Sequence, residues 1–130
     1  MNRTNVATVA AEPAGNEHFS GSVSMQSLAT VDAPRGSALL VTFQAGARTY
    51  WHSHPDGQFL YVTDGEGRTA SRGGVIEPLR PGDLVYAAPN EQHWHGASAD
   101  RAVSHLALSF GDTQWFEEVE PADAASEPAR

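Results

Sequence analysis

The spacing of turn residues limits the fold of this chain more than any other feature of its sequence. Eight β-rich runs of four to nine residues follow one another: 37–44 (SALLVTFQ), 50–54, 58–63 (QFLYVT), 69–72, 75–79, 84–87, 93–97 and 102–110. Between them stand Ala45-Gly46-Ala47, Pro55-Asp56-Gly57, Asp64-Gly65-Glu66-Gly67, Gly73-Gly74, Pro81-Gly82-Asp83, Pro89-Asn90-Glu91 and Ala99-Asp100-Arg101. Glycine supplies positive φ, proline presets φ, and Asn and Asp bond their own backbone, so each cluster reverses an extended chain. No 11-residue window carries a convincing helical period. The fold class that follows is all-β, a sandwich or barrel in one domain.

The ends have a different composition. Residues 1–16 (MNRTNVATVAAEPAGN) are small and polar and are expected to form a flexible N-terminal arm, with a short edge strand at most, free to cross to a second subunit. The barrel is expected over residues 17–116. Within it, residues 18–31 alternate over short stretches, and Ala33-Pro34-Arg35-Gly36 reads as a loop. Asp112 to Phe116 reads as one capped helical turn, with Trp115 and Phe116 closing an end of the barrel. After it, residues 117–130 hold Glu117, Glu118, Glu120, Asp123 and Glu127 against Arg130 alone, and are expected to be an acidic, disordered tail.

Composition excludes several classes. The chain has no cysteine, which removes disulfides, thiolate metal clusters and thiol nucleophiles. Any metal must therefore be held by His, carboxylates or amides. Acidic residues outnumber basic ones 16 to 8, for a net charge of −8, and all eight basic residues are scattered arginines. A nucleic acid partner needs a basic footprint that is absent here. No apolar run approaches the roughly 20 residues that span a bilayer, and the first residues lack a signal-peptide core, so no membrane partner and a cytoplasmic location are expected.

The chemistry concentrates in residues 46–65. His52 and His54 are two apart, hence on one face of a strand and roughly 6.6 Å apart along it. The Pro55-Asp56-Gly57 turn sends the chain back so that Gln58, at the head of the next strand, approaches the same point. A third imidazole comes from His93. His52, His54, Gln58 and His93 thus form a ligand set for one first-row transition metal, with up to two open octahedral positions. All four are neutral, so a divalent ion keeps its full charge as a Lewis acid. His95 shares the face of His93. His105 shares a face with the small Val103 and Ala107, which leaves space for substrate, and it is expected to be a base rather than a ligand. By parity Tyr50, Leu60, Val62, Val41 and Phe43 line the pocket. Trp51, Phe59, Tyr61 and Trp94 point outward, where an aromatic surface predicts a homodimer. His18 receives no role.

With those residues placed, the chain resembles the cupin superfamily. Gly46, His52, His54, Gln58 and Gly65 meet every spacing of its first motif, and Pro81-Gly82-Asp83, Pro89 and His93 follow its second. The second motif departs from the usual pattern, since Asn90 directly follows Pro89 and Ala97 stands where an Asn often ends it; Gln58 also replaces the commoner Glu. The stretches around His52 and around His93-Trp94-His95-Gly96-Ala97, with Ser104-His105-Leu106, resemble small bacterial cupins that are manganese-dependent (R)-selective hydroxynitrile lyases. That resemblance implies a cupin jelly roll. It also implies a cofactor metal, manganese first, with iron, zinc, cobalt or nickel as further candidates. The substrate would be a small cyanohydrin or carbonyl compound, with His105, and after it His95, as general base. The alternatives are a metal-dependent cupin dioxygenase and a non-enzymatic small-molecule-binding cupin.

Overall fold

The computed structural model describes residues 1–124, and their regular structure is almost entirely antiparallel strand. One sheet runs in the order β1 (Glu12–Pro13), β3 (Val23–Asp32), β4 (Arg35–Phe43), β12 (Val103–Phe110), β7 (Gln58–Gly65), β10 (Leu84–Ala87). The other runs β13 (Gln114–Trp115), β6 (His52–Ser53), β11 (His93–Ala97), β5 (Arg48–Thr49), β2 (Phe19–Ser20). There β8 (Gly67–Ser71) also pairs with β11, and β9 (Glu77–Leu79) pairs with β8. The sheets face each other as a jelly roll, which covers the inner face of each with the other.

Alternation explains why the core sits between them. In β7, Gln58, Leu60 and Val62 are buried while Phe59 and Tyr61 are exposed. In β12, Val103, His105, Ala107 and Ser109 are buried and their neighbours only half-buried. Phe19, Val23, Val41, Phe43, Leu79 and Ala97 complete the core. Pairing of β12 with β7 shifts by one residue between Ser104 and His105. A bulge of this kind re-aims side chains beside it, and here it stands at a histidine of the inner face.

Several expectations require correction. The turn between β3 and β4 is only Ala33 and Pro34, because Arg35 and Gly36 already pair with Asp32 and Val31. Residues 112–116 form no helical turn: Gln114 and Trp115 pair with Ser53 and His52, so tertiary pairing overrides the local capping signal. The 50–54 strand is interrupted, with Arg48–Thr49 and His52–Ser53 as separate short strands.

Trp94 does not point out to solvent; it is 1 % exposed. All five residues of β11 are buried, because the chain after the barrel folds back over the outer face of this strand. Val119 and Ala124, the latter in a short helix (α1, Pro121–Ala124), join Ala70, Ile76 and Trp94 in a second apolar cluster, with Trp51 packed at its edge. Arg48 Nη2 donates to Val119 O at 3.1 Å, and Arg68 donates to Ala124 O. Residues 117–124 therefore differ from the solvated tail that composition suggests; positions 125–130 lie outside the described residues. At the other end, Glu12 and Pro13 pair with Met25 and Ser24 at the sheet edge.

Candidate metal centre

Three strands, β6, β11 and β12, and the turn after β6 bring five imidazoles together. His52 is the cross-strand partner of His93, and their ring centroids are 4.3 Å apart. His54 lies just past β6, where Gly57 takes φ 91° in the turn and donates its N–H to His54 O at 3.2 Å. The backbone N–H of Asn90 reaches the same carbonyl at 2.9 Å. Among the described residues Asn90 is the one non-glycine residue with positive φ, at 65°, and asparagine is among the few side chains that tolerate this conformation. The departure from the usual second motif is thereby accommodated: Asn90 makes the turn a glycine would make, and ties the approach to His93 onto His54.

Each ring is oriented from behind. His52 Nδ1 donates to Tyr50 O and His93 Nδ1 donates to Glu91 O, both at 2.9 Å. With its proton there, each neutral ring turns the Nε2 lone pair inward. His54 Nδ1 lies 3.2 Å from Thr113 Oγ1. His95 Nδ1 and His105 Nε2 are 2.9 Å apart. One ligand nitrogen each of His52, His93 and His95 lies within 4.8 Å of the others. Of the expected His52, His54, Gln58 and His93, this trio holds His52 and His93, with His95 beside them and His54 outside it. The ring of His54 is nonetheless 5.1 Å from that of His52 and 5.5 Å from that of His93.

The donor atoms fit a cation. Gln58 Nε2 donates to Ser109 Oγ at 2.8 Å, which points Oε1 the other way, and Oε1 lies 3.0 Å from His93 Nε2. Because the His93 proton is on Nδ1, two acceptors then face each other. That arrangement needs a positive charge beside it, and burial disfavours supplying one by protonating His93. His54 Nε2 and His95 Nε2 are buried without a hydrogen-bond partner. Unpaired buried acceptors are rare and call for a bound ion or water.

Burial dominates the electrostatics. The pKa of His52 and of His95 lies well below the usual value, first through desolvation and then through neighbouring imidazoles. Desolvation also brings His54 and His105 down to about 4. All five rings are thus neutral near pH 7, the form that donates lone pairs to metals and accepts protons.

A cavity of about 110 Å³ opens beside the cluster. Val41 and Phe43 line it as expected, whereas Leu60 and Val62 lie in the core and Tyr50 is half-buried near His18 instead. Parity could have found Ser109, four residues after His105 on the same face. The same parity could have found Leu39, two residues before Val41 on β4, and Trp115 is the aromatic expected at an end of the barrel; no sequence signal marks Phe19, Thr49 or Thr113, which line the cavity from two-residue strands or a loop. For scale, an engineered apolar cavity of roughly 150 Å³ holds one benzene.

A jelly roll with a cluster of inward imidazoles beside a small cavity defines a β-barrel protein with a histidine site that could hold a metal. Residues 39–109 match the Cupin_2 family, described as a cupin domain, and the chain belongs to that family. A cupin-like protein of Thermotoga maritima is 35 % identical over 86 % of this chain and 89 % of its own, with a TM-score of 0.82. A protein of Granulicella tundricola named (R)-mandelonitrile lyase is 48 % identical over 83 residues, 61 % of this chain and 63 % of that protein, so the match spans less than two thirds of the relative's length. A putative acetylacetone dioxygenase of Methylibium petroleiphilum, 16 % identical over 100 % of this chain and 86 % of its own with a TM-score of 0.73, shares the fold. No helix among the described residues is long and apolar enough to cross a membrane.

Proposed function

We propose that this chain is a metal-dependent hydroxynitrile lyase, cleaving a cyanohydrin to a carbonyl compound and hydrogen cyanide or running the reverse addition. The observation that carries the reading is the all-neutral donor set beside a hydrogen-bonded His95–His105 pair in a small cavity. The 48 % identity to a protein named (R)-mandelonitrile lyase supports it. His52, His54, Gln58 and His93 would hold the ion, manganese first because an amide oxygen adds a hard ligand to three imidazoles. His95 Nε2 adjoins the same space.

Bound there, the ion supplies Lewis acidity that lowers the pKa of a substrate hydroxyl. The His95–His105 pair takes the hydroxyl proton, and the hydrogen bond between the rings spreads the charge that results. As the carbon–cyanide bond breaks, its electrons leave with cyanide and those of the former O–H bond form the carbonyl. The imidazolium then returns its proton to cyanide, restoring the neutral pair. Phe43, whose ring centroid is 5.3 Å from that of His105, walls the cavity against water.

The reading includes a homodimer. Phe59, Tyr61, Leu84 and Tyr86 form an exposed cross-strand patch on β7 and the edge strand β10, with Leu84 opposite Tyr61 and Tyr86 opposite Phe59. Covering it with a second copy would remove an apolar edge from water.

The test is mandelonitrile cleavage by protein loaded separately with Mn, Fe or Zn, with and without oxygen. Oxygen-independent release of benzaldehyde and cyanide is expected. Absence of turnover with every metal would sink the proposal, and oxygen-dependent product formation would replace it with oxidative chemistry.

A further inference from the structure

We infer that Ser109 is a positioning residue of the metal centre: its hydroxyl fixes which end of the Gln58 amide faces the ion. The inference rests on the reading of Gln58 as a ligand and deepens it. An amide has two ends of similar size and opposite function, an oxygen that can bind a cation and an NH₂ that repels one. A glutamine ligand therefore needs something to decide its orientation. A glutamate would not, since its two oxygens are equivalent.

Ser109 is placed for that task. It is directly opposite Gln58 in the β12–β7 pairing, 8 % exposed, and its Oγ accepts the Gln58 N–H at 2.8 Å. The contact holds the NH₂ on the β12 side and turns Oε1 to within 3.0 Å of His93 Nε2. Without the hydroxyl, the orientation seen here would bury an unpaired NH₂. The flipped amide would instead donate to the lone pair of His93 Nε2 and satisfy both groups without any ion. Ser109 thus works against a metal-free state in which Gln58 and His93 are bonded to each other. Ser37, the cross-strand partner of Ser109 on β4, and Ala107 keep the neighbouring wall small.

The test is Mn(II) affinity by calorimetry on the full chain, with the Mn(II) EPR spectrum as a second readout. Ser109→Ala is expected to weaken binding about 10- to 100-fold, the usual cost of losing a group that orients a ligand, and Ser109→Thr to restore it. In a Gln58→Glu background the same Ser109→Ala change should cost less than about threefold, because either carboxylate oxygen can face the ion. The EPR spectrum of Ser109→Ala should match that of Gln58→Ala. If Gln58→Ala weakens binding and Ser109→Ala does not, Ser109 has no orienting role and the Gln58 ligand stands. An equal loss from Ser109→Ala in both backgrounds also overturns the inference, since the hydroxyl would then act otherwise than through the amide. If Gln58→Ala leaves affinity unchanged, the ligand reading fails and the inference with it. Should Ser109→Ala fold poorly, Ser109→Cys, whose sulfur is a weak acceptor, takes its place.

Discussion

His105 Nε2 lies 2.9 Å from His95 Nδ1, with the rings nearly perpendicular at 68° and both side chains buried. One proton joins two imidazoles that stand on different sheets, β12 and β11. His95 Nε2 and His105 Nδ1 remain unpaired at the outer ends of that bond. The proposed base is therefore a unit, and removing the His105 ring should break it without touching the imidazoles of the His52–His93–His95 cluster.

His105→Ala should keep the bound metal and lose roughly 10² to 10⁴ in the rate of cyanohydrin cleavage, the usual range for general acid–base help. The paired change His52→Ala with His54→Ala should lose metal and rate together. Elemental analysis beside initial-rate measurements checks both. Full activity in metal-loaded His105→Ala would move proton transfer to another group.

Stability of the metal-free protein should fall on acidification. An unfolded histidine titrates near 6.5, whereas His54 and His105 titrate at about 4 when folded and His52, His93 and His95 are also lowered. Between those values the unfolded chain binds more protons, so stability is fully present above about pH 6.5 and declines as pH falls toward 4. Urea unfolding across pH 4 to 7.5 reads this directly. A flat profile would show that the imidazoles are solvated.

Trp94→Ala should destabilise the protein by about 3–5 kcal/mol, the range for emptying a large aromatic site in a core. A substitution at exposed Tyr61, such as Tyr61→Ser, should stay near 0.5 kcal/mol in the monomer. Chemical unfolding monitored by fluorescence compares the two.

Light scattering at micromolar concentration should give the mass of a dimer, and Tyr61→Arg with Leu84→Arg should shift it to the monomer. Two like charges opposite each other on β7 and β10 make the proposed contact repulsive, and their cost within one barrel is only about 0.2–1 kcal/mol. A monomeric wild type would remove the interface.

The all-β class was legible because Gly, Pro, Asn and Asp punctuate the chain, and the faces of β7 and β12 were legible because only one side of each strand is buried. The same rule failed for Trp94. Alternation presumes a wet outer face, and β11 has none, since residues beyond the barrel cover it. Residues 112–116 failed for a related reason, their conformation being decided by pairing with His52 and Ser53 rather than by local capping. The convergence of His52 and His93 followed from spacing, but spacing could not place His95 within 4.8 Å of them, because that depends on β8, β6 and β5 all docking on one short strand.

Gly96 sits between His95 and the closing end of that strand, and a Cβ there would lie 2.4 Å from Ala47 O and 2.6 Å from Arg48 Cα. Backbone meets backbone at this point, so neither side can yield by rotating a side chain. The separation of β11 from β5 is thereby held near its minimum, and so is the depth at which His95 projects into the barrel. For anyone wishing to redesign the pocket, the practical meaning is that its floor is fixed while its walls on β4 and β12 are open to change: enlarging the space for substrate should proceed through Leu39, Val41 or Ala107, and libraries that vary position 96 should return mostly misfolded chains.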